Sequence, residues 1–358
     1  MRRLLAVFLL LSVGGGLAGA VAWQRMHKAF HEAFKGYDGP EQTVEIPSGA
    51  SSPAIGDRLV SAGLVADPYL FRAALWWTGS ARRLKAGDYR FQVPASVLDV
   101  IDTLVRGDVD VVRVTFPEGL IIREMADIFA AHGLGDADDF AAAARQASLV
   151  ANLDPKASDL EGYLFPATYA VGRRATARDV VELMVQRFRA AYTPALREQA
   201  ASQGLSTRQV LALASLVEKE TARADERPLV AAVYRNRLRI GMGMQADPTV
   251  VYALRLAGRY TGNLRRDDLR FDSPYNTYRY RGLPPGPIAS PGSASIEAAL
   301  APADVSYLYF VSRNDGSHVF ADDLRAHNAN VNQFQVRYFQ RARQQRGGSS
   351  GATPARGR

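Results

Sequence analysis

One segment of this 358-residue chain carries carboxylates at the end of a strongly apolar helix pattern, Leu211-Ala-Leu-Ala-Ser-Leu-Val-Glu-Lys-Glu-Thr221. Its first seven residues are apolar nearly all round, which marks a helix buried on several faces. It then presents Glu218 and Glu220. Residues two apart project about 200° apart on a helix, so these two cannot act on one bond as a pair. Glu220 prolongs the stripe of Leu213 and Leu216. Loss of solvation there raises a carboxyl's pKa towards the value that a general acid needs near neutrality. Glu218 follows Leu211, Ala214 and Ser215 and has a weaker version of that setting. The same pattern also describes the wet end of a core helix.

Other chemistries lack their signatures. The histidines are His27, His31, His132, His318 and His327, with no H-E-x-x-H and no close pair in the C-terminal half. His27 and His31 are helix-spaced beside an apolar N-terminal stretch and read as a solvated face. There is no cysteine, which removes disulfides, thiolate metal sites and a cysteine nucleophile. No G-x-S-x-G elbow, Walker loop or dinucleotide fingerprint occurs. No metal and no cofactor are expected.

The elements that must position the acid follow from periodicity. Thr43 to Ile46 reads as a strand, followed by Pro47-Ser48-Gly49 and a helix that stops at Gly63-Leu64. Seventy residues later Val112 to Phe116, Pro117-Glu118-Gly119 and a helix stopping at Gly133-Leu134 repeat that unit, with a glycine-to-glycine spacing of 14 in both copies. A repeated strand–helix unit is implied. Between the copies lie a helix from Pro68 to Trp77, a strand Gly87 to Phe91 and a helix from Ser96 to Val105. Beyond residue 155 helices are expected over Ala177 to Ala191 and Thr207 to Arg223, the second opened by the capping box Ser206-Thr-Arg-Gln209. Another begins with Pro228 in its first turn. Strands Tyr307 to Val311 and His318 to Phe320 flank the turn signal Asn314-Asp-Gly316, and a last helix starts at Asp322.

Apolar residues make up 47% and charged residues 22%, the composition of a globular chain. The net charge of +8 comes mostly from the ends: without Arg2, Arg3 and the five arginines of 341–358, residues 4–340 stand at +1. A nearly neutral body argues against a groove built for nucleic-acid phosphates. Leu4 to Trp23 is a 20-residue stretch without a charge, long enough to span a bilayer. Ala18-Gly19-Ala20 also fits a signal-peptidase site, but the stretch is long for a signal h-region. An uncleaved anchor is therefore favoured, and with either reading the body lies outside the cytoplasm.

Several ordered motifs resemble the MltG/YceG-like endolytic murein transglycosylase family. They are Leu160-Glu-Gly-Tyr-Leu-Phe-Pro166, Leu213 to Thr221, Asn236 to Met242, Gln245-Ala-Asp-Pro-Thr-Val250, Tyr275-Asn-Thr-Tyr278, Gly282-Leu-Pro-Pro-Gly286 and Tyr307-Leu-Tyr-Phe310. The resemblance implies an α+β chain: an N-terminal membrane anchor over 1–28, a LysM-like β-α-α-β module over 43–110, a second strand–helix repeat and connector over 111–154, a helix-rich catalytic domain over 155–340 and a disordered basic tail over 341–358. It implies a single-pass inner-membrane protein with its catalytic domain in the periplasm. The partners implied are peptidoglycan glycan strands and the membrane, with peptidoglycan synthases as candidates.

The implied activity is a lytic cleavage of the MurNAc–GlcNAc bond of nascent strands. It leaves 1,6-anhydroMurNAc ends and terminates glycan elongation. The second glutamate of Glu-Lys-Glu-Thr, here Glu220, is the implied catalytic residue. One carboxyl suffices because the attacking C6 hydroxyl belongs to the same sugar. Candidate substrate contacts are Glu218, Gln245, Asp247, Thr249, Tyr275, Asn276, Thr277 and Glu161; turn and cap chemistry also explains Asp247 and Asn276. Two alternatives stay open: an inactive glycan-binding scaffold, and a hydrolytic muramidase pairing Glu220 with Asp247 or Glu161.

Overall fold

The computed structural model describes residues 2–338 and 340. The chain is a mixed α+β protein that divides into two units, Met1–Arg113 with Ala170–Arg174, and Val114–Tyr169 with Ala175–Arg358.

The first unit begins with helix α1 (Arg2–His31), followed by β1 (Gln42–Ile46), α2 (Ser52–Ser61), α3 (Pro68–Thr78), β2 (Gly87–Phe91) and α4 (Val97–Arg106). Strands β1 and β2 pair antiparallel with Val44 opposite Tyr89. Alternation turns Val44, Ile46, Tyr89 and Phe91 inward. They meet Leu59, Phe71, Val100 and Leu104 in one core. Gly63 (φ +67°) ends the turn after α2, where a Cβ would stand 2.4 Å from the Gly36 carbonyl oxygen. Only glycine fits that approach and that backbone. Among the described residues no helix is long and apolar enough to cross a membrane. In the proposed anchor, the side chains of residues 4–13, 15, 16 and 18 lie outside the described residues, and so does the basic tail 341–358.

The repeat continues with β3 (Val111–Phe116) and α5 (Ile122–Ala131), but β3 pairs with β4 (Ala167–Gly172) after the short α6 (Ala137–Ala143). The second unit then adds α7 (Ala177–Ala191), α8 (Pro194–Ser202), α9 (Thr207–Glu220), α10 (Arg227–Arg239), α11 (Asp247–Leu256), α12 (Ser293–Leu300), the hairpin β5 (Tyr309–Ser312) and β6 (His318–Ala321), and α13 (Leu324–Val331). Helix α9 is the axis of this unit. Every residue from Val210 to Val217 is buried, because α8, α10, α11 and α12 all pack on it. Ser206 and Gln209 exchange the two bonds of a capping box, the Ser206 N–H donating to Gln209 Oε1 at 3.0 Å.

Several boundaries differ from the sequence expectation, among them the start of the last helix, at Leu324 and not Asp322, and for two of them the packing supplies the cause. Helix α9 ends at Glu220 and not at Arg223, because Thr221 turns to extended backbone (φ −142°, ψ 133°). Its hydroxyl donates to Glu226 Oε2 at 3.1 Å and accepts the Arg223 N–H. Strand β5 starts at Tyr309 and not Tyr307. The Asn236 amide takes the carbonyls of Val305 and Tyr307, and Arg237 takes that of Leu308.

At the start of α9, Arg208 donates twice to buried Asp154, at 2.7 and 3.0 Å, and the Tyr163 hydroxyl donates to it at 2.6 Å. Burial pushes the Asp154 carboxyl up, but the bonds from Arg208, Tyr163 and the Lys156 N–H outweigh it and hold it below the usual range. A depressed carboxyl stabilises the fold above its unfolded pKa and loses that contribution in acid. Asp154→Ala is expected to cost about 3 kcal/mol at neutral pH. Urea unfolding should show the deficit shrinking as pH falls below about 4.

Candidate active site

Helix α9 delivers Glu220 from its last residue, beside a cleft of about 390 Å³. The Tyr234 hydroxyl of α10 donates to Glu220 Oε1 at 2.8 Å. Tyr234 is itself buried, with its ring edge-on to Phe310 at 6.1 Å. Burial pushes the Glu220 carboxyl up to about 7. The Tyr234 bond opposes that rise, the charge of Asp247 adds to it, and His318 and Arg237 oppose it. Burial and the neighbouring Glu220 raise the Tyr234 phenol well above its ordinary value, so it remains a donor. A carboxyl protonated near neutral pH and a fixed donor to its conjugate base are the parts of a general acid–base.

Arg237 sits one turn beyond Tyr234 and is buried. It donates to the carbonyls of Leu308 at 2.6 Å and Met244 at 2.5 Å, and its guanidinium lies over the Tyr309 ring at 5.3 Å. One cation thereby joins the helix to both walls of the cleft. Glu226 makes a similar tie between the end of α9 and β6. This buried carboxylate accepts from the Thr221 hydroxyl at the end of α9, and from the His318 N–H and ring Nδ1 on β6, at 2.8 and 2.7 Å. Burial raises its pKa, but those bonds win and hold it low.

Gln245 and Asp247 form the near wall. Gln245 holds a left-handed backbone (φ +49°), which costs a residue with a Cβ. A buried clamp holds it there. The Gln245 N–H donates to the Thr277 carbonyl, the Ala246 N–H donates to Thr277 Oγ1 at 3.0 Å, and the Thr277 and Thr249 hydroxyls bond at 3.0 Å. Asp247 opens α11 and accepts from the Tyr278 hydroxyl at 2.6 Å. The far wall is Tyr309 and Phe310 of β5 with Leu324, His327 and Asn328 of α13. His327 stacks on Tyr309 at 5.0 Å. Asp247 also borders a second hollow of about 320 Å³, lined by Pro248 and Val251 with Lys219, Arg255 and Tyr260.

Of the expected contacts, Gln245 and Asp247 line the cleft with Glu220. The others do not. Glu218 lies on another face, where it accepts the Gly292 N–H at 3.0 Å and faces Arg227 at 3.6 Å. Thr249 and Thr277 are the buried clamp. Asn276 is fully buried and ties its own loop, donating to the Leu269 and Phe271 carbonyls and accepting the Tyr278 N–H. Tyr275 packs edge-on to Tyr252 at 4.8 Å. Glu161 belongs to a different cleft, of about 330 Å³, with Arg123, Tyr252 and Arg255. It caps α5 by accepting the Ile122 N–H at 3.2 Å, and takes the Tyr252 hydroxyl at 3.3 Å. As a second carboxylate for Glu220 it is therefore excluded by position.

Sequence reasoning missed Tyr234, Arg237, Tyr278, Tyr309, Phe310, Leu324, His327 and Asn328. Tyr234 and Arg237 share a face at a spacing of three on the helix after the acid, a signal that was available. The far wall had no such signal, since a hairpin 90 residues on must fold back to form it. Among the described residues no group of three His, Asp or Glu side chains could hold a metal.

The comparisons fit this geometry. The YceG-like family model matches residues 44–333. The endolytic murein transglycosylase of Bacillus subtilis (strain 168) is 32% identical over 301 residues, covering 80% of this chain and 82% of that protein. The one from Streptococcus pneumoniae serotype 2 (strain D39) is 31% identical over 319 residues, 81% of this chain but 57% of that longer protein. A 2.6 Å crystal structure of a yceG-like protein from Listeria monocytogenes has a TM-score of 0.56 at 30% identity, covering 81% of this chain and 98% of its own. With a family match over most of its length and a relative aligned over four fifths of both sequences, this chain belongs to the YceG-like family.

Proposed function

We propose that the protein is an endolytic murein transglycosylase that cleaves the MurNAc–GlcNAc bond of nascent peptidoglycan and leaves 1,6-anhydroMurNAc ends. The observation that carries this reading is a desolvated carboxyl that lines an open cleft, Glu220, raised to about 7 and with a tyrosine donor on one oxygen. The relatives' names, endolytic murein transglycosylase, support it.

Protonated Glu220 gives its proton to the glycosidic oxygen as the bond from muramic C1 breaks, and the GlcNAc leaves with a free hydroxyl. The resulting carboxylate, steadied by Tyr234, then takes the proton of the C6 hydroxyl while O6 bonds to C1. Water takes no part, and Glu220 ends as it began. Positive charge develops at C1 between these steps. Asp247, held by Tyr278 on the same cleft, supplies the negative charge that faces it. The second hollow bordered by Asp247 extends the groove along a strand, as cutting within a polymer requires.

Cleavage of nascent strands would terminate their elongation, a task that supports a place at the periplasmic face of the inner membrane. The uncharged run from Leu4 to Trp23 supports a single-pass anchor, and the β1-α2-α3-β2 order supports a LysM-like module. Peptidoglycan synthases are the partners that fit this task.

Asp247 in the same cleft gives a hydrolytic muramidase one specific support, and product chemistry separates the two. Mass spectrometry of digested peptidoglycan should find anhydro ends. Reducing ends would mean hydrolysis, and intact glycan a binding protein. Glu220→Gln should reduce turnover by at least about 10²–10⁴-fold, and Glu218→Gln much less.

The acid must carry its proton, so turnover of the parent enzyme should fall as pH rises through about 7. Tyr234→Phe removes a bond that lowers the Glu220 pKa. Its pH–rate profile should therefore keep activity to higher pH, at a reduced maximum. Stability gives a separate check. A carboxyl raised from its ordinary value of 4.5 to about 7 on folding stabilises fully below the lower value and loses that contribution on the way to the higher. Glu220→Gln should match the parent's melting temperature in acid and exceed it at alkaline pH.

A further inference from the structure

Helix α3 carries large aromatic side chains on its outward face as well as apolar ones on its inner face. Phe71, Ala74 and Leu75 face the core of the first unit. The outward positions, which a surface helix fills with polar groups, carry Tyr69, Trp76 and Trp77, exposed by 72, 83 and 49%. Tyr69 and Trp76 are two turns apart on one face, with the Arg72 guanidinium 6.0 Å from the Tyr69 ring. Trp77 meets Trp23 edge-on at 5.0 Å. Trp23 closes the uncharged stretch of α1 and is 48% exposed. Residues 68–87 hold Arg72, Arg82, Arg83 and Lys85, but no Asp, Glu, Asn or Gln.

Single exposed aromatics need no explanation; four on one short helix and the helix end beside it do. Tyrosine and tryptophan settle where an apolar ring and a polar tip are both satisfied, at the level of lipid headgroups. Arginine and lysine beside them add attraction to anionic lipid. A sugar platform would instead set free carboxylates or amides beside the rings, whereas the neighbouring Asp67 carboxylate is spent in capping α3, accepting the Tyr69 N–H at 2.6 Å. The ring contact with Trp23 makes the face continuous with the end of the anchor helix.

We propose that the outward face of α3, with Trp23, lies in the headgroup layer of an anionic bilayer, so that the N-terminal unit rests on the membrane. This rests on the anchor proposed above, and the test separates the two. Trp23, Trp76 and Trp77 are the only tryptophans in the sequence. Full-length Trp23→Phe/Trp77→Phe therefore reports on Trp76 alone, and Trp76→Phe/Trp77→Phe on Trp23. Each is reconstituted in phosphatidylethanolamine–phosphatidylglycerol vesicles containing lipids brominated near the headgroup end or near the bilayer centre, after its melting temperature is matched to the parent's.

The expected result is a blue-shifted Trp76 emission, quenched more by the shallow bromines than by the deep ones. Water-like Trp76 emission unaffected by either lipid, with Trp23 quenched, would overturn the docking and keep the anchor. Loss of quenching at both positions would overturn both. Protection of Trp76 by soluble murein oligosaccharides, with no response to lipid, would overturn the proposal in favour of a glycan-binding face.

Discussion

The hydrogen bond from Tyr234 to Glu220 closes the end of a helix that is buried on every side, and the geometry of the cleft depends on that end. A helix so enclosed has little freedom to rotate, because each of its faces is fitted to a different neighbour. A one-residue slip would turn Glu220 by about 100° and carry it out of reach of Tyr234. The capping box at Ser206 fixes the start of α9, and the turn at Thr221 fixes its end. The position of the acid is thus set from both ends of one element.

Burial by itself does not identify the acid. Glu161 is raised by burial to about 8, above the value reached by Glu220. Yet Glu161 accepts the Ile122 N–H at the start of α5 and the Tyr252 hydroxyl, and so serves the helix it caps. Glu220 has one fixed partner and an open cleft beside it. Perturbed titration marks catalytic and structural carboxyls alike. The free side of the group decides between them.

The walls of the cleft are held by groups that do not enter it. Thr249 and Thr277 pin the strained backbone of Gln245. Arg237 and Glu226, of opposite charge, each tie α10 or its start to the β5–β6 region. Such partners keep the reacting geometry within the small tolerance that acid–base transfer allows. On the first unit the same economy is absent: the exposed rings of α3 have Arg72 beside Tyr69 and Trp23 against Trp77, yet stay largely exposed, which is why a lipid layer is the fitting partner.

The sequence by itself determined the elements and the acid. Alternation and apolar spacing located β2 and α7 to the residue, and Ser206 and Gln209 announced the start of α9. These signals are local, carried within one or two turns of chain. The stripe through Leu213 and Leu216 singled out Glu220 for the same reason, and ordered motifs spread over 160–310 pointed to its family. Which polar residues meet Glu220 was decided only by the tertiary structure. Asn276 and Thr277 stand next to Tyr278 in one motif, but their side chains turn inward to satisfy buried backbone while Tyr278 turns to the cleft. Tyr309, Phe310, His327 and Asn328 reach the acid only because β5, β6 and α13 fold back over α10. A residue's type and spacing declare what chemistry it could do. Which way its side chain faces, among partners a hundred residues away, is set by packing and by the need to satisfy every buried polar group.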